Sequence, residues 1–523
     1  SHWPGYTHVV STHFSLPTYD EVKDSFGYNA SWMQRFDAAA NKIWSDLSSA
    51  HKFGSLVRVE EQLDELAPND DNHMLFSAEE MHSLFSGRNE LKTVIHNLVD
   101  EWGKANSFSL LKSSEAKTFL DIISQKYDVV VANPPYTDSA DFGKELKAFV
   151  EANYKKPYKF NSNLYACFIK RCCELAGMDG KVGMIHPHTF MFIKTFEDVR
   201  KFMIDETHIN VMVDYGLDRV NLFGPGILLD ATFYTLDMNR QEQAEGIYFN
   251  ITANQQEKYK KGSLAEAYDD YLNNRPNNRV YTLPQSKLKG IKSYPFIYWI
   301  SDEFREKFGK KTVEEMIGVK CGITTGSNEL FVRYWWEVDS INLSKDYHID
   351  KKKWVGYTKG GPYNKWYGNL WTIVDWENDG YGIKHILDSN GKIKSRMGNE
   401  KYFFREGVTY SASGSKGVTF RYLPTNYIFD VGGSCAFPKE YTNNAYILAF
   451  LNSKLCFYIA NCLNPTVNTQ VGDLKRVPFV IPSNNMERLI EVLSNINVLI
   501  KKHLCGYSIV EMSYRQSPFN IYN

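Results

Sequence analysis

The spacing of hydrophobic residues changes along the chain and predicts different secondary structure in its first two parts. In residues 1–120, apolar positions recur at helical intervals, as at Phe36, Ala39 and Ile43, which predicts a mainly helical segment. In residues 121–240, short β-branched runs alternate with helical patterns, which is typical of a doubly wound α/β sheet. The predicted strands are Asp128–Ala132, Lys181–His186, Asn210–Asp214 and Thr232–Leu236, and the helices between them cover residues 164–175 and 196–202.

The second half of the chain separates into a polar connector, a further domain and a terminal helix. Residues 241–310 are mostly polar with one helical piece, and residues 311–480 combine short strands and helices. An amphipathic helix is predicted over residues 484–503, within a C-terminal segment of residues 481–523. A chain of 523 residues is expected to fold as two or three domains, each around its own core.

A stiff loop follows the first predicted strand of the α/β part. The β-branched run ends at Ala132 and is followed at once by Asn133, Pro134, Pro135 and Tyr136. Two consecutive prolines cannot continue a strand, and the second restricts the residue before it to extended geometry. Open α/β sheets carry their sites in loops at the carboxyl ends of parallel strands, so we expect functional residues here.

The residue types of this loop suit methylation of an exocyclic amine. Such a nitrogen must pyramidalise and gain positive charge as it attacks a methylsulfonium. The amide oxygen of Asn133 and the carbonyl of Pro134 accept its two hydrogens and favour that charge without taking a proton. Tyr136 offers a flat face on which a base stacks once it has left the duplex. The alternative is a proline-rich turn with a buried tyrosine.

Residues 133–136 resemble the Asn-Pro-Pro-Tyr motif of adenine-N6 DNA methyltransferases, although methyltransferases of glutamine and guanine amino groups carry it too. Residues 161–168, 180–187 and 196–203 follow it in the order and spacing of the gamma class of these enzymes. The resemblance implies a Rossmann-like methyltransferase sheet and S-adenosyl-L-methionine as the methyl donor.

The same resemblance implies roles for several aromatic residues. Asn133 and Phe168 match the positions beside the methyl donor. Phe223 matches the aromatic residue that covers the second face of the flipped adenine, opposite Tyr136. Phe190 and Phe192 are rivals for that role, and core packing is the alternative for each phenylalanine.

Six segments of the second half carry a further resemblance: residues 318–331, 359–368, 429–434, 449–455, 463–466 and 471–478. They are similar to the C-terminal part of the PglX-type methyltransferases of BREX phage-defence systems, and type IIG restriction-modification enzymes share much of this layout. The resemblance implies that residues 311–480 are a mixed α+β target-recognition domain for double-stranded DNA. The candidate DNA-binding residues are Thr325, Asn328, Lys359, Tyr363, Lys365 and Trp366.

The net charge of −1 hides an uneven distribution of charged residues. Residues 351–480 contain 17 Lys and Arg against 9 Asp and Glu, whereas residues 1–300 contain 32 against 39. The basic stretch is also rich in tryptophan and tyrosine, and this combination suits contact with phosphates and bases. The alternative is a basic, tryptophan-rich domain with ordinary surface charge.

Residues 1–120 lack the glycine-rich turn on which this class of enzyme holds the methionine and ribose of the donor. In the gamma class this turn precedes the Asn-Pro-Pro-Tyr loop, and its glycines let the backbone approach the ligand closely. Residues 427–434 are the nearest substitute, but they require a permuted order, and Pro438 interrupts the helix that should follow. We therefore expect a sheet that is incomplete at its N-terminal side, with the donor-binding strand on an upstream segment or a separate chain.

The remaining features exclude other classes of site. The eight cysteines form no CxxC pair and are expected to be reduced core residues of a cytoplasmic protein. No run of residues approaches the roughly 20 apolar positions of a membrane span. His186 and His188 flank a proline, but two ligands are too few for a metal site, so we expect no metal.

Two functions compete on these observations. The first is the catalytic and recognition part of an adenine-N6 DNA methyltransferase of phage defence or restriction-modification. The second is a non-catalytic DNA-recognition part that works with other phage-defence subunits, and the missing glycine-rich turn favours it. Methylation of RNA or protein amines is a weaker third option, because a small substrate needs no large recognition domain.

Overall fold

The computed structural model describes residues 10–14, 16–25, 31–59, 61, 78–105, 107–218, 229–240, 244–252, 257–414, 416–466 and 468–517. The chain divides into two compact units. The first unit consists of Ser1–His188 with Asp198–Gln285, and the second consists of Thr189–Glu197 with Ser286–Asn523. Each unit has its own apolar cores.

The first unit begins with the helices that its apolar periodicity predicts. They are α1 (Tyr19–Ser25), α2 (Ser31–Ser48), α3 (Ala50–Phe53), α4 (Ala78–Gly103) and α5 (Ser107–Ile123). Their apolar faces meet in a core that includes Trp44, Leu98 and Phe119. The indole N–H of the buried Trp44 donates to the carbonyl of Pro17 at 2.8 Å, which satisfies the one polar atom of that ring.

A six-stranded mixed sheet follows these helices. Its strands are β1 (Tyr127–Ala132), β2 (Ala176–Pro187), β3 (His208–Asp218), β4 (Leu229–Asp237), β5 (Glu245–Asn250) and β6 (Val280–Pro284). The helices around it are α6 (Lys144–Tyr154), α7 (Leu164–Leu175), α8 (Glu197–Glu206) and α9 (Glu257–Leu272). The strand order is β1-β2-β4-β3-β5-β6, in which β1 is parallel to β2 and β3 is parallel to β5. The strands and helices predicted between residues 121 and 240 are confirmed.

Residues 241–310 differ from the polar connector that the sequence predicts. β5 and β6 lengthen the sheet, and the first unit extends to Gln285. The Gln285 side chain accepts a hydrogen bond from the amide of Ile209 at 2.8 Å and donates to the carbonyls of Ile204 and Thr207. β6 lies at an edge of the sheet, where Pro284 is tolerated because no neighbouring strand needs its missing N–H.

In the part of the chain that the structure describes, β1 lies at the opposite edge of this sheet. It pairs with β2 on one side only. The side chains of Val129 and Val131 are 62% and 76% exposed. Strands of parallel α/β sheets normally bury such residues under helices on both faces. Among the described residues, β1 therefore has unpaired backbone groups along its outer edge and exposed apolar side chains on one face.

The second unit contains two four-stranded sheets, with the strand orders β13-β9-β10-β8 and β12-β11-β14-β7. The strands are β7 (Ile317–Lys320), β8 (Val332–Tyr334), β9 (Trp354–Thr358), β10 (Thr372–Asp375), β11 (Gly407–Tyr410), β12 (Phe420–Leu423), β13 (Tyr427–Phe429) and β14 (Cys435–Pro438). The helices are α10 (Asp302–Arg305), α11 (Val313–Met316), α12 (Asn328–Phe331), α13 (Tyr347–Asp350), α14 (Glu377–Lys384), α15 (Asn444–Leu451), α16 (Lys454–Leu463), α17 (Val471–Lys475) and α18 (Asn484–Cys505). Short strands and helices alternate here, as the sequence predicts.

The C-terminal helix and tail are part of the second unit. α18 lies against α15, and the hydroxyl of Tyr441 donates to the carboxylate of Glu487 at 2.5 Å. Further along, the buried carboxylate of Glu511 accepts hydrogen bonds from the amides of Asn369 and Leu370 at 2.7 and 3.0 Å. These bonds hold the tail against the loop that precedes β10.

The sequence predicts reduced core cysteines and no run of apolar residues long enough to span a membrane. All eight cysteines are free, and seven of them are buried. Among the described helices, none is by itself long and apolar enough to cross a membrane, and α15 and α16 reach that length only as a pair bent by 61°.

Candidate active site

The loop of residues 133–136 begins where β1 ends. Asn133 is exposed, Pro134 is buried and Tyr136 is half-buried. The hydroxyl of Tyr136 donates to Oδ1 of Asn133 at 2.7 Å. An amide oxygen has two lone pairs, so one remains for a further donor. Burial raises the pKa of Tyr136 to about 12, and its hydroxyl therefore stays a donor at physiological pH.

A second acceptor lies next to Asn133 in this loop. The carbonyl oxygen of Pro134 accepts no hydrogen bond from any described residue. Two consecutive residues thus each supply an acceptor oxygen, one from a side chain and one from the backbone, of the kind that could accept the two hydrogens of an amine. Neither oxygen is basic enough to remove a proton, so the arrangement favours positive charge at the amine nitrogen.

The N-terminus of α7 holds the loop in place. Asn163 is the N-cap of α7 and forms an isolated antiparallel bridge with Asp138. Its side-chain amide donates to the carbonyl of Tyr136 at 3.4 Å, and the amide of Leu164 donates to the carbonyl of Thr137 at 3.0 Å. The backbone of Tyr136 is therefore fixed both by β1 and by α7, which limits the freedom of its ring.

Tyr136 is also the first of four aromatic residues that lead into the sheet. Its ring makes a T-shaped contact with that of Tyr165 at 6.5 Å between centroids, and Tyr165 stacks on His186 at 4.6 Å. Nε2 of His186 lies 2.8 Å from the hydroxyl of Tyr234. Burial lowers the pKa of His186 to about 4, so this imidazole is neutral and its hydrogen bond to Tyr234 does not change near pH 7.

Tyr165 contacts Tyr136 but is not among the site residues predicted from the sequence. It stands three positions before Phe168 on α7, so both residues lie on the same face of the helix. Phe168, the predicted donor-side residue, is half-buried. The periodicity could have identified Tyr165 together with Phe168, whereas the family resemblance drew attention to Phe168 alone.

The structure limits the choice of the second base-stacking aromatic residue. Phe190 and Phe192 are fully buried in the second unit, where their rings contact Phe296 and Trp299. Neither ring can cover a base without leaving its core, so the structure lends no support to either as the rival residue, and this alternative stays a prediction. Phe223 lies outside the described residues, and its predicted role stays a prediction.

A buried ion pair joins β3 to the end of β2. Nδ1 of His188 lies 2.9 Å from the carboxylate of Asp214, and Nε2 lies 3.7 Å from that of Asp230. Burial by itself lowers the pKa of His188, but the two carboxylates more than offset this effect, and its pKa lies above the ordinary value despite the nearby Lys260. No group of three or more possible metal ligands occurs among the described residues.

The pair predicts a dependence of stability on pH. Because folding raises the pKa of His188, its contribution to stability is complete below the unfolded value of 6.5 and is lost as the pH rises through the folded value. We expect the apparent melting temperature to fall over that window, and the fall to be smaller in His188→Asn. Thermal unfolding of both proteins between pH 6 and 9 checks this, and equal slopes would contradict it.

Three of the predicted DNA-binding residues meet in one group in the second unit, which we call the recognition cluster: Thr325, Asn328, Tyr357, Lys359 and Asp430. The Thr325 hydroxyl donates to Oδ1 of Asn328 at 3.0 Å, and the Lys359 ammonium lies 2.9 Å from the same oxygen. Lys359 also lies 3.4 Å from the carboxylate of Asp430, to which the Tyr357 hydroxyl donates at 2.6 Å.

The other three predicted DNA-binding residues are not joined to this cluster. Tyr363 is 52% exposed. The ammonium of Lys365 donates to the carbonyl of Asn452 at 3.0 Å, and Trp366 packs partly buried against the apolar core. Lys365 and Trp366 therefore fix the loop of residues 359–368 to the domain, and of the three Tyr363 is the most exposed.

Arg421 supports the same loop from inside the domain. Its guanidinium is almost fully buried and lies 3.4 Å from the carbonyls of Gly360 and Asn364. Burial lowers the pKa of Arg421 to about 10, so the group stays charged near pH 7. This role could not be predicted from sequence, because it depends on contacts between residues 57 and 61 positions apart.

Residues 427–434 do not replace the missing glycine-rich turn. After β13, Asp430 accepts a hydrogen bond from the amide of Gly432 at 2.7 Å, and the chain passes by a turn into β14 rather than into a helix. The permuted arrangement is therefore wrong, and Asp430 serves the recognition cluster instead.

Comparison with known proteins places these features in a family context. Residues 39–223 match the family model of the Eco57I restriction-modification methylase. The chain is 32% identical over 364 residues to the adenine-specific methyltransferase PglX of Lacticaseibacillus casei (strain Zhang), covering 68% of this chain and 30% of that protein. It is 31% identical over 372 residues to the adenine-specific methyltransferase BrxX of Escherichia coli O9:H4 (strain HS), covering 70% of this chain and 29% of that protein.

These similarities confirm the resemblance that the sequence motifs predict. The chain spans about 30% of the length of each of these two relatives. Among solved structures, the type IIL restriction-modification enzyme MmeI in complex with DNA aligns with a TM-score of 0.46 and 9% identity, covering 94% of this chain and 73% of that one. That likeness is too weak to define the fold.

Proposed function

We propose that this chain is the catalytic and target-recognition part of a DNA methyltransferase that acts on adenine N6 in BREX phage defence or restriction-modification. The observation that carries the proposal is the pair of acceptor oxygens on Asn133 and Pro134 beside the half-buried ring of Tyr136. The similarity to PglX and BrxX, which are adenine-specific methyltransferases, supports it.

The proposed reaction is a direct displacement at the methyl carbon. S-adenosyl-L-methionine supplies an electrophilic methyl group when bound. Asn133 and Pro134 accept the two N6 hydrogens of a flipped adenine and orient the nitrogen lone pair toward the methyl carbon. The N–C bond forms as the C–S bond breaks, and one N6 proton leaves to water afterwards. Tyr136 stacks on one face of the base and Phe223 on the other.

The described residues supply only part of a pocket for that donor. Asn133 and Phe168 are the residues that the family resemblance assigns to it, and no glycine-rich turn precedes β1 in residues 1–120. We therefore assign no further donor contact within this chain. An upstream segment or a separate chain would complete the pocket.

The open side of β1 supports this division of the donor site. Val129 and Val131 of β1 are 62% and 76% exposed. A cleft of about 570 Å³ lies beside the start of β1, lined by Thr118, Asp121, Ile122, Gln125 and Tyr127. A strand that added to this edge would pair with the free backbone groups of β1, and the segment attached to it could cover the face on which the valines lie.

Calorimetric titration of S-adenosyl-L-methionine into this chain, with and without duplex DNA, tests the division. We expect no binding heat from the chain alone in either condition, because the glycine-rich turn is absent. Binding of one S-adenosyl-L-methionine per chain would contradict the proposal that the donor site is divided. It would mean that some segment of this chain replaces the glycine-rich turn. Addition of the donor-binding part of a PglX-type protein as a separate polypeptide should restore binding.

The second candidate function is a non-catalytic DNA-recognition part of the same kind of complex. The open edge of β1 and the missing glycine-rich turn favour it, whereas the intact Asn133–Tyr136 loop disfavours it. Sequence-selective DNA binding that persists without any methylation, even after the donor-binding part is added, would support this candidate. Double-stranded DNA is the ligand in both proposals, and other phage-defence subunits are the proposed partners.

A further inference from the structure

The side-chain amide of Asn328 in the recognition cluster has a fixed orientation. The ammonium of Lys359 can only donate, and it lies 2.9 Å from one amide atom, so that atom must be the oxygen. The hydroxyl of the buried Thr325 donates to the same oxygen at 3.0 Å. Both lone pairs of Oδ1 are thereby used, and the exposed Asn328 offers solvent only its N–H₂ group.

Lys359 is itself held in place by the cluster. Its ammonium lies 3.4 Å from the carboxylate of Asp430 and its side chain remains 29% exposed. Asp430 is in turn fixed by the hydroxyl of Tyr357 at 2.6 Å and by the amide of Gly432 at 2.7 Å. Two of the three ammonium hydrogens are engaged by Asn328 and Asp430, which leaves one for an outside acceptor. Asn328 and Lys359 thus form a pair of neighbouring donors.

A basic hairpin lies directly beside this donor pair. Residues 386–396 form the hairpin, and Arg396 pairs with Thr324 in an antiparallel bridge four residues before Asn328. The exposed side chains of Lys392, Lys394 and Arg396 form no ion pair with a described carboxylate. Uncompensated cations beside fixed hydrogen-bond donors are the pattern expected where phosphates position a protein and base edges are read.

We infer that Asn328 and Lys359 read a guanine in the major groove of the target site, an inference that rests on the proposed DNA-binding function. Guanine alone presents two neighbouring acceptors, N7 and O6, without a donor in between. Adenine is excluded as the partner of this amide, because the usual asparagine–adenine pairing needs a free amide oxygen. Cytosine is excluded because its N4 amino group is a donor, and it would face the amide N–H₂ of Asn328 and the ammonium of Lys359, which are also donors.

The experiment is selection of bound duplexes from a pool with randomised positions, using the 523-residue chain and three variants. Asn328→Asp replaces the outward donor by an acceptor, and its carboxylate next to Lys359 is compatible with the fold. Asn390→Asp, at the exposed tip of the same hairpin, makes the same change of charge without touching the cluster. Lys359→Met removes the second donor and frees the amide of Asn328 to rotate.

We expect the wild-type chain and Asn390→Asp to select the same sequence, with guanine at the position concerned. Asn328→Asp should exchange that guanine for cytosine, whose amino group the carboxylate accepts, with a change in base preference of about 5- to 150-fold. Lys359→Met should relax the preference at the same position only. Circular dichroism confirms that each variant is folded.

Two outcomes separate this inference from the proposed function. If the wild-type chain selects no sequence at all, the proposed DNA recognition fails. If it selects a sequence that Asn328→Asp leaves unchanged, or changes at a position other than a guanine, the reading role of Asn328 is overturned while DNA recognition stands.

Discussion

Replacing Asn133 by alanine should lower the rate of methyl transfer by a factor of about 100 to 1,000, the range found when one pre-organised group that stabilises transition-state charge is removed. The amide oxygen is one of two acceptors for the N6 hydrogens, and Pro134 cannot take over both. Because Asn133 is exposed and makes its one side-chain bond to Tyr136, the fold should not change. The measurement is single-turnover methylation of duplex DNA by the chain combined with its donor-binding part.

The control variant is Asn133→Asp, which keeps an oxygen in place to accept from Tyr136 and from the amine. Its rate should lie between those of the wild-type protein and Asn133→Ala. Duplex binding, measured by fluorescence anisotropy, should be the same for all three, since the loss concerns the chemical step. A methylation rate within tenfold of wild type in Asn133→Ala would remove this residue from the reaction.

Replacing Tyr136 by alanine should weaken extrusion of the target base by about 1–3 kcal/mol, the value of one base–aromatic stacking contact. The ring is held in position by its T-shaped contact with Tyr165 and by the hydrogen bonds that fix its backbone to α7. The Tyr136 ring is therefore already ordered before the extruded base stacks on it. Fluorescence of 2-aminopurine at the target position reports the extruded fraction, and it should fall in Tyr136→Ala.

Tyr136→Phe separates the ring from the hydroxyl. It keeps the stacking face and removes the donor that occupies Oδ1 of Asn133. The extruded fraction should remain close to that of the wild-type protein. If the phenylalanine variant loses as much fluorescence as the alanine variant, the hydroxyl rather than the ring is responsible, and the stacking role is refuted.

The sheet elements could be predicted from the sequence where local periodicity decides them. β1 to β4 follow β-branched runs, and α7 follows a helical spacing that its cap at Asn163 starts. β5 and β6 were not predicted, because they are short and flanked by polar residues. Pro284 also argues against a strand there, since proline is tolerated in a strand mainly when that strand lies at an edge. Edge position is a property of the whole sheet and is absent from local sequence.

The candidate site shows the same limit. Asn133 and Tyr136 were predicted from the chemistry of one loop, whereas the contact between Tyr136 and Tyr165 depends on how α7 packs behind it. In the recognition cluster, Asn328 and Asp430 are 102 positions apart in the chain and meet through Lys359. The local sequence around Asn328 does not indicate that Asp430 will lie nearby, and the sequence around Asp430 does not indicate Asn328.

The exposed valines of β1 have a consequence for anyone who prepares this chain. A strand edge that no described residue pairs with, next to exposed apolar side chains, is a template for pairing between identical molecules, so concentrated samples should self-associate through residues 127–132. The usual remedy is an added lysine on the strand, but at Val129 or Val131 it would block the surface that an incoming strand needs. Preventing self-association requires that residues 127–132 be blocked, whereas reconstitution with the donor-binding part requires that they stay free. Dilution, or early mixing with the donor-binding part, satisfies both requirements.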